Sequence, residues 1–425
     1  MKKELIVSHE DDLTKIALLE DGRLCELHEQ EDKSEFIVGD LFVGRVKKLA
    51  PNLNAAFVNI GYDKDAFLHY QDLGPQYLTY RKFLKDTISK KQSTSSLKNF
   101  EIQPEIDKNG TVDKVIAKDD LVLLQITKEP ISTKGPRIST QVSLTGRFLV
   151  LIPFDNKVSI SKKIRTTEEK ERLRTLIDSI KPEGFGVIIR TVAEGKKVAD
   201  LHNDMNQLIQ KWESTFKNIQ KSKVPARVLS EEDKASAILR DNFNQDFVSI
   251  ICDDEQMADE MTNYVEVIAP EKKNIVQFYS SHIPLLEYYN VEKQLKQSFG
   301  KHVNIPSSKG AYLVIEHTEA LHVIDVNSGN NITTGASVNK EHALKVNKMA
   351  ATEIARQLRL RDMGGIIVID FIDMQNPEHR RDLYEHLKEE MKRDKARHKI
   401  LPPSKFGLIQ ITRQRNRPER HPKRY

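Results

Sequence analysis

The chain has 425 residues, 38% hydrophobic and 30% charged, and its 67 basic and 62 acidic side chains give a net charge of +5. A chain of this length is too long to fold around a single hydrophobic core, so we expect several domains. No run approaches the roughly 18 apolar residues of a membrane span, and the N-terminus lacks a signal-peptide core, so we expect a cytoplasmic protein. Cys25 and Cys252 are far apart, which argues against a disulfide scaffold and a structural zinc site and favours two buried free thiols.

Residues 36–70 alternate apolar and polar side chains in short runs separated by Gly and Pro. This pattern is typical of a small β-barrel. The runs "AAFVNI" and "AFLHY" predict neighbouring strands that carry Phe57 and Phe67. On an outer surface these rings would stack nucleic-acid bases, as in an OB-fold, and the nearby Lys47 and Lys48 favour that interpretation. Inside the barrel, the same rings would simply fill the core.

The middle of the chain changes character several times. Residues 83–112 are rich in Ser and Lys without sustained periodicity, which predicts a flexible insertion within the barrel. "DLVLLQITKE" at 120–129 predicts the strand that closes it. "GRFLVLIP" and "GFGVIIRTV" then predict strands on either side of a charged helix, "TTEEKERLRTLIDSI", capped by one of its first threonines. A long polar helix near 197–222 leads onward from this small α/β module.

The C-terminal third has the clearest pattern. "AYLVIEH" and "ALHVIDVN" predict a hairpin, and the second strand places Asp325 and Asn327 on one face because side chains alternate. A helix is predicted after Asn339, followed by the buried strand "IIVIDFIDM", which ends near Asp370. Another helix is predicted to begin at Asn376. Alternating strands and helices predict a layered α/β domain.

Asp325 and Asp370 end two apolar strands, where ligand sites of α/β sheets collect. Two converging carboxylates repel each other unless a cation joins them. Mg²⁺ accepts as few as two protein carboxylates and keeps waters for a substrate phosphate and a nucleophile. Asn327 could hold the attacking water or orient Asp325 without adding charge. The alternative is that both acids cap the turns that follow, as we expect for Asp373, and spacing alone leaves both interpretations open.

Two further features have mainly structural interpretations. His322 faces away from Asp325 and is predicted to be a packed histidine, while His317 lies beside the hairpin link, so we expect no histidine-rich zinc site. The final stretch, "ITRQRNRPERHPKRY", carries six Lys or Arg against Glu419 alone. It would suit phosphate groups, although basic termini are more often solvated and disordered.

Several stretches together resemble the catalytic core of the ribonuclease E/G family: "ALHVIDVNSG", "EIARQLRLRDMGGIIVIDFIDM" and "KFGLIQITRQR". Weaker similarity extends through "NLNAAFVNIGYDKDAFL", "SLTGRFLVLIP" and "GVIIRT". The resemblance implies a Mg²⁺-dependent hydrolytic endoribonuclease that cuts single-stranded, AU-rich RNA and leaves a 5′-phosphate on the downstream product. It also implies a preference for 5′-monophosphorylated ends and roles in RNA processing, including rRNA processing, and in mRNA decay.

The resemblance also implies roles for individual residues. Asp325 and Asp370 match the magnesium ligands, Asn327 the amide that assists them, and Arg397 a basic residue near the scissile phosphate. The positions that match RNA-binding residues of the barrel are Phe57, Phe67 and Lys134. The positions that match a sensor of the 5′-monophosphate are Arg190 and Thr191, with Gly146 and Val150 as backbone support. Lys162 departs from the family, which has an Arg that buttresses this pocket.

The fold implied by the resemblance is a mixture of α+β and α/β domains, with an OB-fold RNA-binding barrel inserted in an RNase H-like subdomain. The implied boundaries are 1–35 with 236–300 for the RNase H-like subdomain, 36–138 for the barrel, 139–235 for the 5′-sensor module and connecting helix, and 301–425 for a DNase I-like catalytic domain with a basic tail.

The C-terminus differs from the family pattern. Family members usually continue into a Cys-x-x-Cys element, through which two protomers share a zinc ion, and then into a small dimerising domain, whereas this sequence ends in "RNRPERHPKRY". We therefore expect no zinc, a possible homodimer without a zinc link, and similarity to the shorter, ribonuclease G-like members. The competing hypothesis is a non-catalytic RNA-binding protein derived from this family, in which the acids are structural.

Overall fold

The computed structural model describes residues 1–31, 36–130, 135–231, 234–308, 310–329, 336–415 and 419–420. The chain divides into two compact units, one formed by Met1–Asp32 with Phe243–Tyr425 and the other by Lys33–Asn242. The first unit is therefore discontinuous in sequence, because the second is inserted into it.

Within the described residues, the strands in chain order are β1 (Lys3–Glu10), β2 (Leu13–Glu20), β3 (Arg23–Glu31), β4 (Leu41–Ala50), β5 (Ala55–Asn59), β6 (Ala66–His69), β7 (Leu121–Lys128), β8 (Arg137–Ser139), β9 (Leu144–Thr145), β10 (Leu149–Pro153), β11 (Val158–Ile160), β12 (Phe185–Ile189), β13 (Ala226–Leu229), β14 (Phe247–Cys252), β15 (Val276–Phe278), β16 (His302–Asn304), β17 (Tyr312–His317), β18 (Leu321–Asn327), β19 (Gly365–Asp370), β20 (His398–Ile400) and β21 (Ile409–Arg413). The helices are α1 (Tyr77–Ile88), α2 (Thr167–Ile180), α3 (Val198–Lys221), α4 (Lys234–Asn242), α5 (Glu255–Ile268), α6 (Leu285–Tyr288), α7 (Val291–Ser298), α8 (Ala336–Leu360) and α9 (Pro377–Met391). Among these helices, none combines the length and the apolar character needed to cross a bilayer.

The inserted unit contains a closed β-barrel. Strands β4, β5, β6, β8 and β7 pair in this order, and β7 pairs back with β4, while β13 adds to β4. Val46, Val58, Leu68 and Leu124 belong to one buried apolar cluster of these strands. A mixed α/β chain with a closed five-stranded barrel is consistent with the predicted OB-like fold.

The segment predicted as a flexible insertion, residues 83–112, contributes to the packed core. It begins inside α1, where Phe83 is fully buried, and Leu97 packs in the same cluster. The indole of Trp212 donates a hydrogen bond to the carbonyl oxygen of Ser95 at 2.9 Å. The prediction of a flexible insertion was wrong because a few apolar side chains hold the segment, although most of its Ser and Lys residues are exposed.

The rest of the inserted unit follows the predicted α/β pattern. A second sheet has the order β11-β12-β10-β9, and the two predicted strands are the antiparallel neighbours β10 and β12. Thr166 occupies the N-cap position of α2, although its side chain makes no cap hydrogen bond. The predicted long helix is α3, which is amphipathic rather than polar throughout, because Leu208, Trp212 and Phe216 are buried.

The discontinuous unit has two sheets. The first has the order β15-β14-β1-β2-β3, in which β14 is parallel to β1 and to β15. Both cysteines are buried thiols, Cys25 on β3 and Cys252 on β14. Burial raises the pKa of each thiol to about 12, so both stay protonated and unreactive at neutral pH.

The second sheet has the order β16-β17-β18-β19-β21-β20. The predicted hairpin is β17–β18, and β18 and β19 are parallel neighbours joined through α8. The helix α8 begins at Ala336 rather than after Asn339. The residues from Ala336 to Asn339 include no Gly or Pro, so nothing in this stretch opposes helix formation. The predicted start of α9 at Asn376 is confirmed, since Asn376 is its N-cap and accepts a hydrogen bond from the backbone N–H of Glu378 at 2.9 Å.

The two faces of this second sheet differ in burial. Ile324, Ile367 and Ile369 belong to a buried cluster with Ile354 and Leu358 of α8. The side chains of the opposite face, among them those of both aspartates and of Val323 and Val368, are half-buried or exposed. The predicted aspartates therefore lie on the more open face.

Buried ion pairs join α8 to the first sheet of the same unit. Glu353, 1% exposed, accepts a hydrogen bond from Arg23 at 2.7 Å and from Arg356 at 2.6 Å. Arg359 makes a bidentate contact with Glu20 at 2.8 and 2.9 Å. Burial raises the pKa of Glu20, but the hydrogen bond and charge of Arg359 outweigh burial and leave that pKa lowered. These pairs fix the helix that connects the two aspartate-bearing strands.

Candidate active site

Asp325 and Asp370 meet at the carboxyl ends of two neighbouring strands. The parallel register of β18 and β19 pairs Asp325 directly with Asp370. Paired residues of adjacent strands project from the same face, about 4.8 Å apart. Both side chains are exposed. Two carboxylates at this spacing repel each other unless a cation is shared, and their oxygens are the donors that Mg²⁺ prefers.

Asn327 contacts the first of these acids. Its Nδ2 donates a hydrogen bond to Oδ2 of Asp325 at 2.7 Å. The contact fits the predicted alternative in which the amide orients Asp325, because it fixes the carboxylate plane and adds no charge. The arrangement can thus hold one carboxylate in a defined orientation beside the other.

Asn347, which the sequence analysis missed, holds the chain just beyond Asp370. It is fully buried on α8, where its Oδ1 accepts from the backbone N–H of Ile372 at 3.0 Å and its Nδ2 donates to the Ile372 carbonyl at 2.8 Å. The only available signal was a polar residue within the apolar stripe of the helix. Asp373 is exposed, and the cap of α9 is Asn376.

Arg397 lies away from the two aspartates. Its carbonyl oxygen accepts from the backbone N–H of Gln414 at 2.8 Å, and the adjacent Arg413 pairs with Gly365 at the start of β19. Asp370 lies at the other end of β19. At about 3.3 Å per residue, Asp370 is roughly 17 Å from Gly365 along the strand. The predicted role of Arg397 near the scissile phosphate stays a prediction that this register does not support.

Phe57 and Phe67 project from the outside of the barrel. They pair across β5 and β6, with ring centroids 5.8 Å apart at 66°. Their strand neighbours Val58 and Leu68 are buried inside, whereas both rings are only half-buried. Lys48 pairs with Phe57 across β4 and β5. Of the two interpretations of these aromatics, the arrangement favours the exposed stacking surface over the core.

Further polar side chains flank the two rings. The ring of His69 lies 6.5 Å from that of Phe67, and Arg137 pairs with Phe67 in the neighbouring strand. Arg137 makes a bidentate contact with Asp72, at 3.0 Å for each bond. Lys134, the third predicted RNA-binding residue, lies outside the described residues.

Arg190 is held by three acceptors in the inserted unit. Its Nη1 donates to the carbonyl oxygens of Gly146 at 2.7 Å and Arg147 at 3.2 Å, and its Nη2 donates to Oδ1 of Asp241 at 2.6 Å. The side chains of Arg190 and Asp241 are 22% and 33% exposed. Solvent and ligands can therefore reach this partly open ion pair.

The other predicted sensor residues surround Arg190. The hydroxyl of Thr191, the next residue, shares a hydrogen bond with that of Ser161 at 2.7 Å. Val150 pairs with Ile188 across β10 and β12. Lys162, at the departure from the family pattern, is exposed.

Asp204 organises the loop that presents the Gly146 carbonyl. This carboxylate accepts hydrogen bonds from the backbone N–H groups of Arg147, Phe148 and Leu149 at 2.9, 2.9 and 2.8 Å. Burial raises its pKa despite these bonds. A Cβ at Gly146 would lie 2.7 Å from Asp204, so this position needs glycine. The role of Asp204 is not predictable from its sequence position, because the helix that carries it has a largely polar sequence.

A family model described as "Ribonuclease E/G family" matches residues 143–416. The ribonuclease E of Nostoc sp. is 32% identical over 419 residues, which cover 98% of this chain and 56% of that protein. The ribonuclease E of Synechocystis sp. is 34% identical over 383 residues, which cover 89% of this chain and 52% of that protein. The ribonuclease G of Salmonella typhimurium is 31% identical over 417 residues, which cover 98% of this chain and 81% of that protein.

The chain spans about half the length of these ribonuclease E relatives and about four fifths of the ribonuclease G relative. The family model covers more than half of the chain, and relatives above 30% identity cover nearly all of it. The chain belongs to the ribonuclease E/G family.

Proposed function

We propose that this protein is a Mg²⁺-dependent endoribonuclease that hydrolyses single-stranded RNA. The observation that carries the proposal is the direct pairing of Asp325 with Asp370 across parallel strands, with Asn327 bonded to the first acid. The donor set fits the ion, because two adjacent carboxylates supply oxygen ligands and their exposure leaves room for water and a phosphate. When bound, Mg²⁺ polarises phosphoryl oxygens and acidifies a coordinated water.

The side chains of the chain have distinct tasks in this reaction. Asp325 and Asp370 hold the ion, Asn327 orients the first carboxylate, and Asn347 fixes the backbone that follows the second. In the hydrolysis a water oxygen attacks phosphorus and the bond from phosphorus to the 3′-oxygen breaks. The upstream product ends in a 3′-hydroxyl and the downstream product keeps the 5′-phosphate.

The barrel surface of Phe57 and Phe67 is the proposed RNA-binding platform, with Lys48 beside it and Lys134 assigned by the family resemblance alone. Aromatic rings on an outer surface can stack on the faces of unpaired bases, whereas in a duplex these faces are covered by the neighbouring bases. This favours single-stranded substrates. A preference for AU-rich sequences is consistent with such a surface, since AU-rich RNA pairs weakly.

Arg190 and Thr191 form the proposed sensor of a 5′-monophosphate, with Gly146 and Val150 as the supporting backbone. A guanidinium and a hydroxyl match the acceptor oxygens of a terminal phosphate. The carboxylate of Asp241 already bonds to this guanidinium at 2.6 Å. A phosphate must therefore displace that carboxylate or share the guanidinium with it.

Family membership supports the rest of the proposal. We assign the barrel to 36–138, the sensor module to 139–235, the RNase H-like subdomain to 1–35 with 236–300, and the DNase I-like domain to 301–425. Action in the cytoplasm, in RNA processing and mRNA decay, and assembly as a homodimer are parts of the same proposal.

A labelled single-stranded RNA tests the proposal. We expect purified protein to cut it in Mg²⁺ and to stop in chelator, and we expect Asp325→Asn and Asp370→Asn to bind RNA but cut it about a thousandfold more slowly. Asp373→Asn is the matched control, because this exposed acid lies three residues beyond Asp370, and it should cut normally. Normal cleavage by either of the first two variants would remove the metal assignment. RNA binding by the wild-type protein without Mg²⁺-dependent cleavage would instead establish the non-catalytic RNA-binding alternative.

A further inference from the structure

Two histidines and a glutamate converge at the turn end of the β17–β18 hairpin. The antiparallel register pairs His317 directly with His322, and their ring centroids lie 4.6 Å apart at 66°. Oε2 of Glu419 lies 3.2 Å from Nε2 of His322. One potential ligand atom from each of the three side chains lies within 4.8 Å of the other two.

The Nε2 atom of His322 is the feature that needs explaining. His322 is 1% exposed, and among the described residues its Nε2 makes no hydrogen bond, because the contact with Glu419 lacks hydrogen-bond geometry. Buried polar atoms in folded proteins nearly always have a hydrogen-bond partner or bind an ion. A ring nitrogen that lies beside a carboxylate oxygen and a second imidazole has the surroundings of a metal ligand.

We propose that His317, His322 and Glu419 bind one divalent transition-metal ion, with Zn²⁺ as the best match. Two imidazoles and one carboxylate form a ligand set that zinc uses when one coordination position stays open to water. Imidazole favours the later transition metals, whereas Mg²⁺ and Ca²⁺ favour oxygen ligands only. This proposal replaces the expectation, from sequence alone, that these histidines form no such site.

The site is separate from the aspartate pair. His322 and Asp325 are three residues apart on β18, so their side chains leave opposite faces of the sheet. Ile324, on the histidine face, packs in the cluster that includes residues of α8, whereas Asp325 is exposed on the other face. The proposed ion is therefore independent of the proposed nuclease activity.

Neighbouring contacts hold Glu419 at this place. The backbone N–H of Arg420 donates to the carbonyl oxygen of Arg361 at 3.0 Å, and its guanidinium contacts Glu29 at 3.3 Å. An ion at the histidine pair would fasten this C-terminal segment to the hairpin. Because the ligands are about a hundred residues apart in sequence, the ion would stabilise the unit by closing a long loop.

Equilibrium dialysis of tag-free protein against Zn²⁺, followed by measurement of bound zinc per chain, tests the proposal. We expect about one tightly bound equivalent and a higher melting temperature with Zn²⁺ than without it. His322→Gln and Glu419→Gln should each lose the equivalent and the thermal shift. His302→Gln and Glu316→Gln are matched controls on exposed positions of the same sheet, and Asp325→Asn separates the site from the aspartate pair. All three should keep the bound zinc.

Two results would overturn the proposal. One is a wild-type protein that binds no stoichiometric zinc, and the other is a Glu419→Gln variant that binds as much as the wild type. Either result would leave His322 and Glu419 as an ordinary ion pair. The melting temperature of each variant without metal shows whether it folds. Should His322→Gln unfold, the Glu419→Gln variant, at a half-buried position, still decides the outcome.

Discussion

Replacement of Asp241 by Asn should strengthen recognition of a 5′-monophosphate. The carboxylate of Asp241 contacts the guanidinium of Arg190 at 2.6 Å, where the proposed phosphate would bind. Asn keeps the size of the side chain but removes the charge that competes with phosphate. The guanidinium stays in place, because the carbonyl oxygens of Gly146 and Arg147 still hold its Nη1.

The expected size of the effect on phosphate affinity follows from the solvent exposure of the Arg190–Asp241 ion pair. A hydrogen bond between charged groups contributes about 1.5–3 kcal/mol, and we take the lower end because solvent reaches a fifth to a third of each side chain. If the side chain at position 241 binds Arg190 more weakly by about 1.4 kcal/mol, the affinity of the 5′-phosphate for Arg190 rises about tenfold. Arg240, which lies 3.6 Å from the same carboxylate oxygen, keeps its 2.7 Å contact with Glu231.

The assay compares cleavage of one RNA that carries either a 5′-monophosphate or a 5′-hydroxyl. We expect Asp241→Asn to lower KM for the monophosphorylated RNA about tenfold and to leave the hydroxyl RNA unchanged. Arg190→Ala should abolish the difference between the two RNAs. Asp178→Asn, at an exposed acid on α2, is the matched control and should behave as wild type. An unchanged or higher KM for the monophosphorylated RNA in Asp241→Asn would refute competition by the carboxylate.

Three other perturbations test different parts of the account. Phe57→Ala should weaken binding of single-stranded RNA about tenfold to a hundredfold, since one stacked base contributes about 1–3 kcal/mol, and should barely change the melting temperature; unchanged binding by fluorescence anisotropy would exclude the platform. Asn347→Ala should lower the free energy of unfolding by about 1–3 kcal/mol, because the part-buried N–H and carbonyl of Ile372 both lose their partner, and an unchanged urea midpoint would contradict that. Because the pKa of Glu20 is lowered, its ion pair with Arg359 should stabilise the fold at neutral pH and lose this effect as the pH falls below about 4.5. As the pH is lowered through about 4.5, the urea midpoint should therefore fall less in Glu20→Gln than in wild type. An equal fall in both proteins would contradict a stabilising ion pair between Glu20 and Arg359.

The aspartate pair could be predicted because it depends on local rules. Two apolar strands that each end in Asp, joined through a helix, predict parallel neighbours whose carboxyl ends coincide. Alternation along β18 predicts that Asn327 shares the face of Asp325. The register and the 2.7 Å contact between these two side chains agree with both steps. Alternation along β5 and β6 also predicts that Phe57 and Phe67 lie on the face opposite Val58 and Leu68, but it leaves open which of the two faces is the outer one.

The features that escaped prediction depend on contacts between distant parts of the chain. Asn347 and Asp204 act through backbone groups 25 and about 57 residues away, and nothing in their own helices indicates those partners. Arg359 of "EIARQLRLRD" is buried against Glu20 of the first sheet in this unit, a partner that helical periodicity cannot reveal. Strand register pairs His317 with His322, and Glu419 approaches them from nearly a hundred residues later, so no local pattern indicates that the three side chains meet.

A change of metal preference tests the central claim most directly. Cys in place of Asp370 supplies a thiolate, which binds Mg²⁺ poorly and accepts the softer Mn²⁺. We predict that Asp370→Cys is inactive on single-stranded RNA in Mg²⁺ and regains cleavage in Mn²⁺, while Asp373→Cys cuts in both ions. A folded Asp370→Cys variant that cuts normally in Mg²⁺, or that stays inactive in both ions, would contradict the shared ion at Asp325 and Asp370.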